Sequence, residues 1–258
     1  VYYKTKEEIE LIRLSSLLVG KALAEIAKII KPGITTLSLD KVAEEFILDN
    51  HALPAFKGYS GFPNTLCVSV NSQVVHGIPG KYELKEGDII SVDCGVWKNE
   101  YFGDSAYTFA VGEVKSEILN LLKVTQESLY KAIEKTVVGN RLGDIGEAVQ
   151  THAEKNGFSI VRELVGHGIG QNLHEAPEVP NYGKRGHGLK LQEGLVIAIE
   201  PMVNFGKKTI VQEKDGWTIR AADNLPSAHF EHTVAIGKDK ADILSTFEYI
   251  EEALKVRN

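Results

Sequence analysis

The chain has 258 residues, 43 % of them apolar and 25 % charged, with 29 Lys plus Arg against 35 Asp plus Glu for a formal charge of −6. This is close to the soluble globular average and excludes a disordered chain, while the acidic balance argues against duplex DNA as a partner. No stretch nears the roughly 18 apolar residues of a membrane span, the charged start is unlike a secretory signal, and Cys67 and Cys94 make neither a metal spacing nor a disulfide framework, so a cytoplasmic setting is expected.

In chain order, Thr5 and Glu8 form a capping-box pattern ahead of Ile9, Ile12, Val19, Leu23, Ile26 and Ile30, which share one helical face until Pro32-Gly33 ends the run. Leu39, Val42 and Phe46 mark a shorter helix. The stretch 89–104 predicts a hairpin, after which Ile118, Leu122, Thr125, Leu129 and Ile133 predict a third helix that stops at Gly139. Ile145, Val149 and His152 mark a fourth helix. The apolar run Leu195-Val196-Ile197-Ala198-Ile199 and the alternating stretch 228–236 predict further strands.

These elements repeat. LKEGDIISVD at 84–93 resembles LQEGLVIAIE at 191–200, an offset of 107, and 32–50 matches 138–156 at an offset of 106. Each segment of the first pair runs from Glu-Gly through apolar residues to a carboxylate, Asp93 in one and Glu200 in the other. The expectation is one domain spanning 1–258, built from duplicated helix-helix-strand halves at about 5–112 and 113–240 with a C-terminal tail at 241–258. No linker-like segment divides them, so the halves are expected to share a core.

With Lys98-Asn99 as the hairpin turn, Asp93 faces Asp104 on one side of the sheet, with Cβ atoms roughly 5 Å apart. Two ionised carboxylates at that distance repel by ~3 kcal/mol at an effective dielectric near 20. Either one holds a proton, or a divalent cation bridges them, or one points into solvent. Glu200 ends an apolar strand, and Glu231 lies amid strand residues, where burial demands a partner. Alternation puts His229, Glu231, Thr233 and Ala235 on one face and Phe230, His232, Val234 and Ile236 on the other, so His232 reads as structural. His167 sits in Gly166-His167-Gly168-Ile169-Gly170, where glycines let backbone approach closely.

Taken together, Val75-His76-Gly77-Ile78-Pro79, Val92-Asp93, Gly103-Asp104-Ser105, the glycine loop with His174-Glu175, Ile199-Glu200-Pro201 and Phe230-Glu231-His232-Thr233 resemble the type I methionine aminopeptidases. The resemblance covers nearly the whole chain. It implies the α+β pita-bread fold, with pseudo-two-fold halves around a curved, mostly antiparallel sheet. It also implies two divalent ions (Mn, Fe, Co or Zn) held by Asp93, Asp104, His167, Glu200 and Glu231, with Asp104 and Glu231 bridging. The implied chemistry is hydrolysis of the first peptide bond after an N-terminal methionine by metal-activated water. Glu200 would serve as general base, His174 would stabilise the oxyanion, and His76 would contact the scissile amide or leaving group. The methionine side chain would sit among Tyr59, Phe62, Cys67 and Trp217, with His76 and His174 at the edge.

The substrates implied are peptides and nascent chains that begin with methionine, met in the cytoplasm by a monomer with transient ribosome association and with no DNA or membrane partner. Type I follows from the short segment between Glu200 and Glu231. A proline-specific peptidase of the same fold is the nearest rival, and only a few residues precede the first helix here, where such enzymes carry an extra domain. A binding protein that has lost catalysis is disfavoured because all five ligand positions are kept. A two-His-one-carboxylate oxygenase is disfavoured because the set holds four carboxylates and one His. Two departures stand out. His229 replaces a Gln usual in the family, and Gly95 stands where many members carry Thr or a larger residue, so a hydroxyl near the metals would be missing.

Overall fold

The computed structural model describes residues 1–257. Helix α1 (Lys6–Ile29) opens on a complete capping box: Glu8 N–H donates to Thr5 Oγ1 at 3.3 Å, and Thr5 N–H donates to Glu8 Oε2 at 2.7 Å. Its predicted stripe is buried, with Ile12, Val19, Leu23, Ile26 and Ile30 fully covered and Ile9 at the margin. Four more helices follow, α2 (Thr36–Asp49), α3 (Ser116–Ile133), α4 (Leu142–Lys155) and α5 (Glu248–Arg257). Among the described residues, no helix is long and apolar enough to cross a membrane.

The repeat is physical. Both ends of α4 lie 106 positions after those of α2 (36 to 142, 49 to 155). The glycines that precede them, Gly33 and Gly139, both adopt a left-handed backbone, with φ of 89° and 96°. Each helix ends on an Asn C-cap, Asn50 and Asn156, with matching φ of −91° and −92°.

The strands divide into four antiparallel sheets, two of which build the site. In the first, Ile89–Lys98 pairs along one edge with Tyr101–Ala110, and along the other with Leu66–Val70 and then Leu53–Pro54. In the second, the order is Asp242–Ile243, His232–Ala235, Val196–Ile199, Gly166–Gly168 and Glu175–Val179. Helix α1 packs on the hairpin of the first sheet. At Gly103 the approach is so close that a Cβ would stand 2.3 Å from the Ser16 nitrogen, so any larger residue would push away the strand that carries Asp104.

The hairpin register differs from the predicted one. Asn99 and Glu100 form the turn, both with positive φ (51° and 67°), and Lys98 pairs with Tyr101. A type I′ two-residue turn requires positive φ at both central positions, and this register puts Asn rather than Lys at the first of them, where Asn tolerates it better. Asp93 therefore lies opposite Ala106, and Asp104 opposite Gly95. The slip is even, so both carboxylates keep one face and become diagonal neighbours.

The predicted strand at 228–236 is also broken in two. Ser227–His229 pairs with Met202–Asn204, and His232–Ala235 pairs with Val196–Ile199. Phe230 and Glu231 bridge the break, and the edge of the hairpin strand runs beside it. Glu231 N–H donates to Ala106 O (2.9 Å), Ser105 Oγ donates to Glu231 O (2.7 Å), and Thr108 Oγ1 donates to His229 O (2.7 Å). Thr233 Oγ1 donates to Asp104 O (2.8 Å) and accepts from Asp104 N–H (3.3 Å). This seam fastens Asp104 of one half to Glu231 of the other.

Candidate active site

The five predicted ligands, Asp93, Asp104, His167, Glu200 and Glu231, line a single cavity of about 170 Å³. Asp93 and Asp104 come from the hairpin, His167 from the strand Gly166–Gly168, Glu200 from the position after Val196–Ile199, and Glu231 from the break beside the seam. Asp104, His167 and Glu231 each offer one donor atom, all within 4.8 Å of one another. The His167 Nε2 atom lies 3.9 Å from Asp104 Oδ2 and 3.6 Å from Glu200 Oε1. Its Nδ1 donates to the Gly168 carbonyl at 2.8 Å, which leaves the Nε2 lone pair turned toward the carboxylates.

Among the described residues no Lys or Arg is paired with any of these carboxylates; the nitrogens within 4.0 Å of them are those of the His167 and His229 imidazoles. Asp93 Oδ1, Asp104 Oδ1 and Glu231 Oε1 are buried without a hydrogen-bond partner. Burial therefore raises the acids. Asp93 is pushed up to about 7, and Asp104 is pushed well above the carboxylate range by burial and by the charges of Glu231 and Asp93. Glu200 and Glu231 rise for the same reasons. His167 moves the other way, down to about 4, because burial disfavours its cation. A neutral imidazole among orphaned buried oxygens is a donor set that a divalent cation satisfies.

The predicted substrate wall lines the same cavity: Tyr59, Phe62, Cys67, His76, His174 and Trp217. Phe62 and Trp217 meet edge to face with centroids 5.1 Å apart. Trp217 is aimed by Asp215, whose carboxylate accepts from Trp217 N–H (2.9 Å) and from Thr218 N–H (2.8 Å). Cys67 lies directly across the strand pair from Asp93, and burial together with the neighbouring acids pushes its thiol well up, so it serves as an apolar wall. His174 stands at the exposed mouth, where its Nδ1 meets Tyr59 Oη at 2.8 Å and its ring packs edge-on to His167 at 4.3 Å. His76 adopts a positive φ of 60°, and burial lowers its pKa.

The cavity has three further walls that sequence reasoning missed, Phe56, Ser60 and Leu173. Phe56 accounts for the Gly95 departure. A Cβ at position 95 would stand 2.6 Å from the Phe56 ring and 2.9 Å from Ala55 Cβ, so the space of a larger side chain is already filled. His232 turns away from the cavity, as strand parity predicts: it stacks on Phe247 at 3.9 Å, and its Nδ1 meets Ser245 Oγ at 2.6 Å.

Along nearly its whole length the chain is similar to known proteins. A methionine aminopeptidase from Clostridium perfringens is 51 % identical over 245 residues, which cover 95 % of this chain and 98 % of that protein. The crystal structure of the methionine aminopeptidase from Rickettsia prowazekii superposes with a TM-score of 0.94 at 39 % identity, covering 95 % of this chain and 100 % of the other. That of Thermotoga maritima gives 0.94 at 43 % identity, covering 95 % and 99 %. The family model of metallopeptidase family M24 matches residues 10–238. Because that match spans most of the chain, with all five candidate ligands inside it, the chain belongs to metallopeptidase family M24.

Proposed function

We propose that the chain is a metal-dependent aminopeptidase that removes methionine from the N-terminus of peptides and new proteins. The observation that carries this reading is the convergence of four carboxylates, one neutral imidazole and an aromatic, sulfur-lined pocket in one cavity of about 170 Å³. Asp93, Asp104, His167, Glu200 and Glu231 would hold two divalent ions. When bound, such ions activate a water and polarise the substrate carbonyl.

The chain's own groups do the rest. Phe62, Trp217 and Cys67 enclose an unbranched apolar side chain and exclude water from it. Glu200 would accept the proton of the attacking water. His174 would offer an N–H to the developing oxyanion, and His76 would contact the scissile amide or leaving group. The reading extends to a cytoplasmic monomer that meets nascent chains, transiently, at the ribosome. It is supported by the chemistry of the substrate, since an N-terminal methionine is a feature of new chains.

A peptide panel tests the assignment. With Mn, Fe or Co present, Met-Ala and Met-Gly peptides should lose methionine, whereas peptides that start with a branched residue, with or without proline in second place, should stay intact. Preferential cleavage before proline would instead assign the chain to the proline-specific branch of the same fold.

A further inference from the structure

His229 is the second departure, and the structure gives it a place. Its ring is 1 % exposed, and neither Nδ1 nor Nε2 has a hydrogen-bond partner. Buried donors without acceptors are costly and uncommon, so such a ring calls for a partner. The backbone leaves it little freedom: His229 N–H donates to Thr108 Oγ1 at 3.0 Å, the same hydroxyl donates to His229 O at 2.7 Å, and Met202 pairs with it across the strand.

Held this way, Nε2 stands 3.8 Å from Glu200 Oε2 and 4.0 Å from Glu231 Oε2. The other Glu200 oxygen, Oε1, lies 3.6 Å from His167 Nε2, so the Glu200 carboxylate sits between two imidazoles. His229 faces the oxygen that His167 does not. We propose that His229 is a positioning residue that braces Glu200 and Glu231 as metal ligands, aiming its Nε2–H at their outer oxygens.

Both separations exceed a hydrogen bond, and closing the shorter one takes about 0.8 Å, within the last torsions of a Glu side chain. A neutral imidazole suits the task. It offers one N–H to orient a carboxylate without adding a positive charge that would compete with the cation, as Lys or Arg would. The inference rests on the reading that the five ligands hold divalent metal.

Calorimetric titration of the metal-free full-length chain with Mn²⁺ tests it, comparing wild type, His229→Ala and His229→Gln. The Ala variant should bind Mn²⁺ about 10- to 100-fold more weakly, and the Gln variant, which restores an N–H donor, should bind nearly as tightly as wild type. His229→Leu fills the ring's space without a donor and carries the same test if the Ala variant fails to fold. Unchanged affinity in Ala and Leu would overturn the brace. So would a failure of Gln to rescue together with an altered Co²⁺ absorption spectrum, which would make His229 a direct ligand. Wild type that binds no Mn²⁺ would instead defeat the metal reading beneath it.

Discussion

In the proposed mechanism, Tyr59 would set the tautomer of His174. For His174 to stabilise an oxyanion, its proton must sit on Nε2, and Nδ1 must then accept. Tyr59 Oη, 2.8 Å from Nδ1, is the group placed to donate to it. Tyr59→Phe keeps the ring that packs edge-on to His174 at 5.1 Å and removes only the hydroxyl. The expected result is a kcat about 10-fold lower with little change in KM, in the range of lost orienting partners. Steady-state kinetics with a Met-Ala peptide reads it, and an unchanged kcat would remove the hydroxyl from the mechanism. At this scale the sequence showed Tyr59 only as a pocket wall. Its link to His174 spans 115 positions and has no local signal. Phe56 was missed for a similar reason, since its pairing with Gly95 is visible only once the strand and the loop are brought together.

At the scale of elements, the helices were the most legible. Capping residues and 3.6-residue periodicity are local, and the repeat announced itself through matched spacing, as the shared 106-residue offset of α2 and α4 shows. Two strand features were not legible. The turn at Asn99-Glu100 competes with Lys98-Asn99 by small differences in left-handed tolerance, and the break at Phe230-Glu231 hides within an unbroken alternating pattern. The seam was also silent, because Thr233 reads as an ordinary strand residue. Its hydroxyl both donates to and accepts from the backbone of Asp104, a residue 3 % exposed. Thr233→Val should therefore leave two buried backbone groups unpaired and cost about 1–3 kcal/mol. Urea unfolding measures this, and a loss under about 0.5 kcal/mol, within the usual range for surface changes, would show that the seam is held elsewhere.

For the whole molecule, the site has a signature in the pH dependence of the metal-free protein. The folded state raises Asp93 to about 7 and pushes Asp104, Glu200 and Glu231 up, against 3.8 for Asp and 4.5 for Glu in the unfolded chain. These acids contribute stability that is full below the unfolded values and is lost as pH rises through the folded ones. The histidines act in the opposite sense. His167 falls to about 4, and His229 and His232 fall to about 3, from 6.5. Their contribution is present above 6.5 and is lost as pH falls through the lowered values. The two effects oppose each other until the unfolded histidines have lost their protons, about one pH unit above 6.5; beyond that the raised carboxylates, and not the histidines, set the slope. Chelator-treated protein should thus melt at a lower temperature at about pH 8.5 than at about pH 7.5, and added divalent metal should remove most of the difference. A melting temperature that rises across that interval would contradict the electrostatic account. The same clustering qualifies the formal charge of −6, because four of the acids counted in it lie inside one cavity.

The central claim is that these five side chains hold the metal on which methionine release depends. The most direct measurement is a titration of chelator-stripped protein with Mn²⁺ while methionine release from a Met-Ala peptide is followed. The account predicts no release at the start and a rise that saturates as the site fills. Full release from the stripped protein, or none at saturating Mn²⁺, Fe²⁺ and Co²⁺ alike, would contradict it.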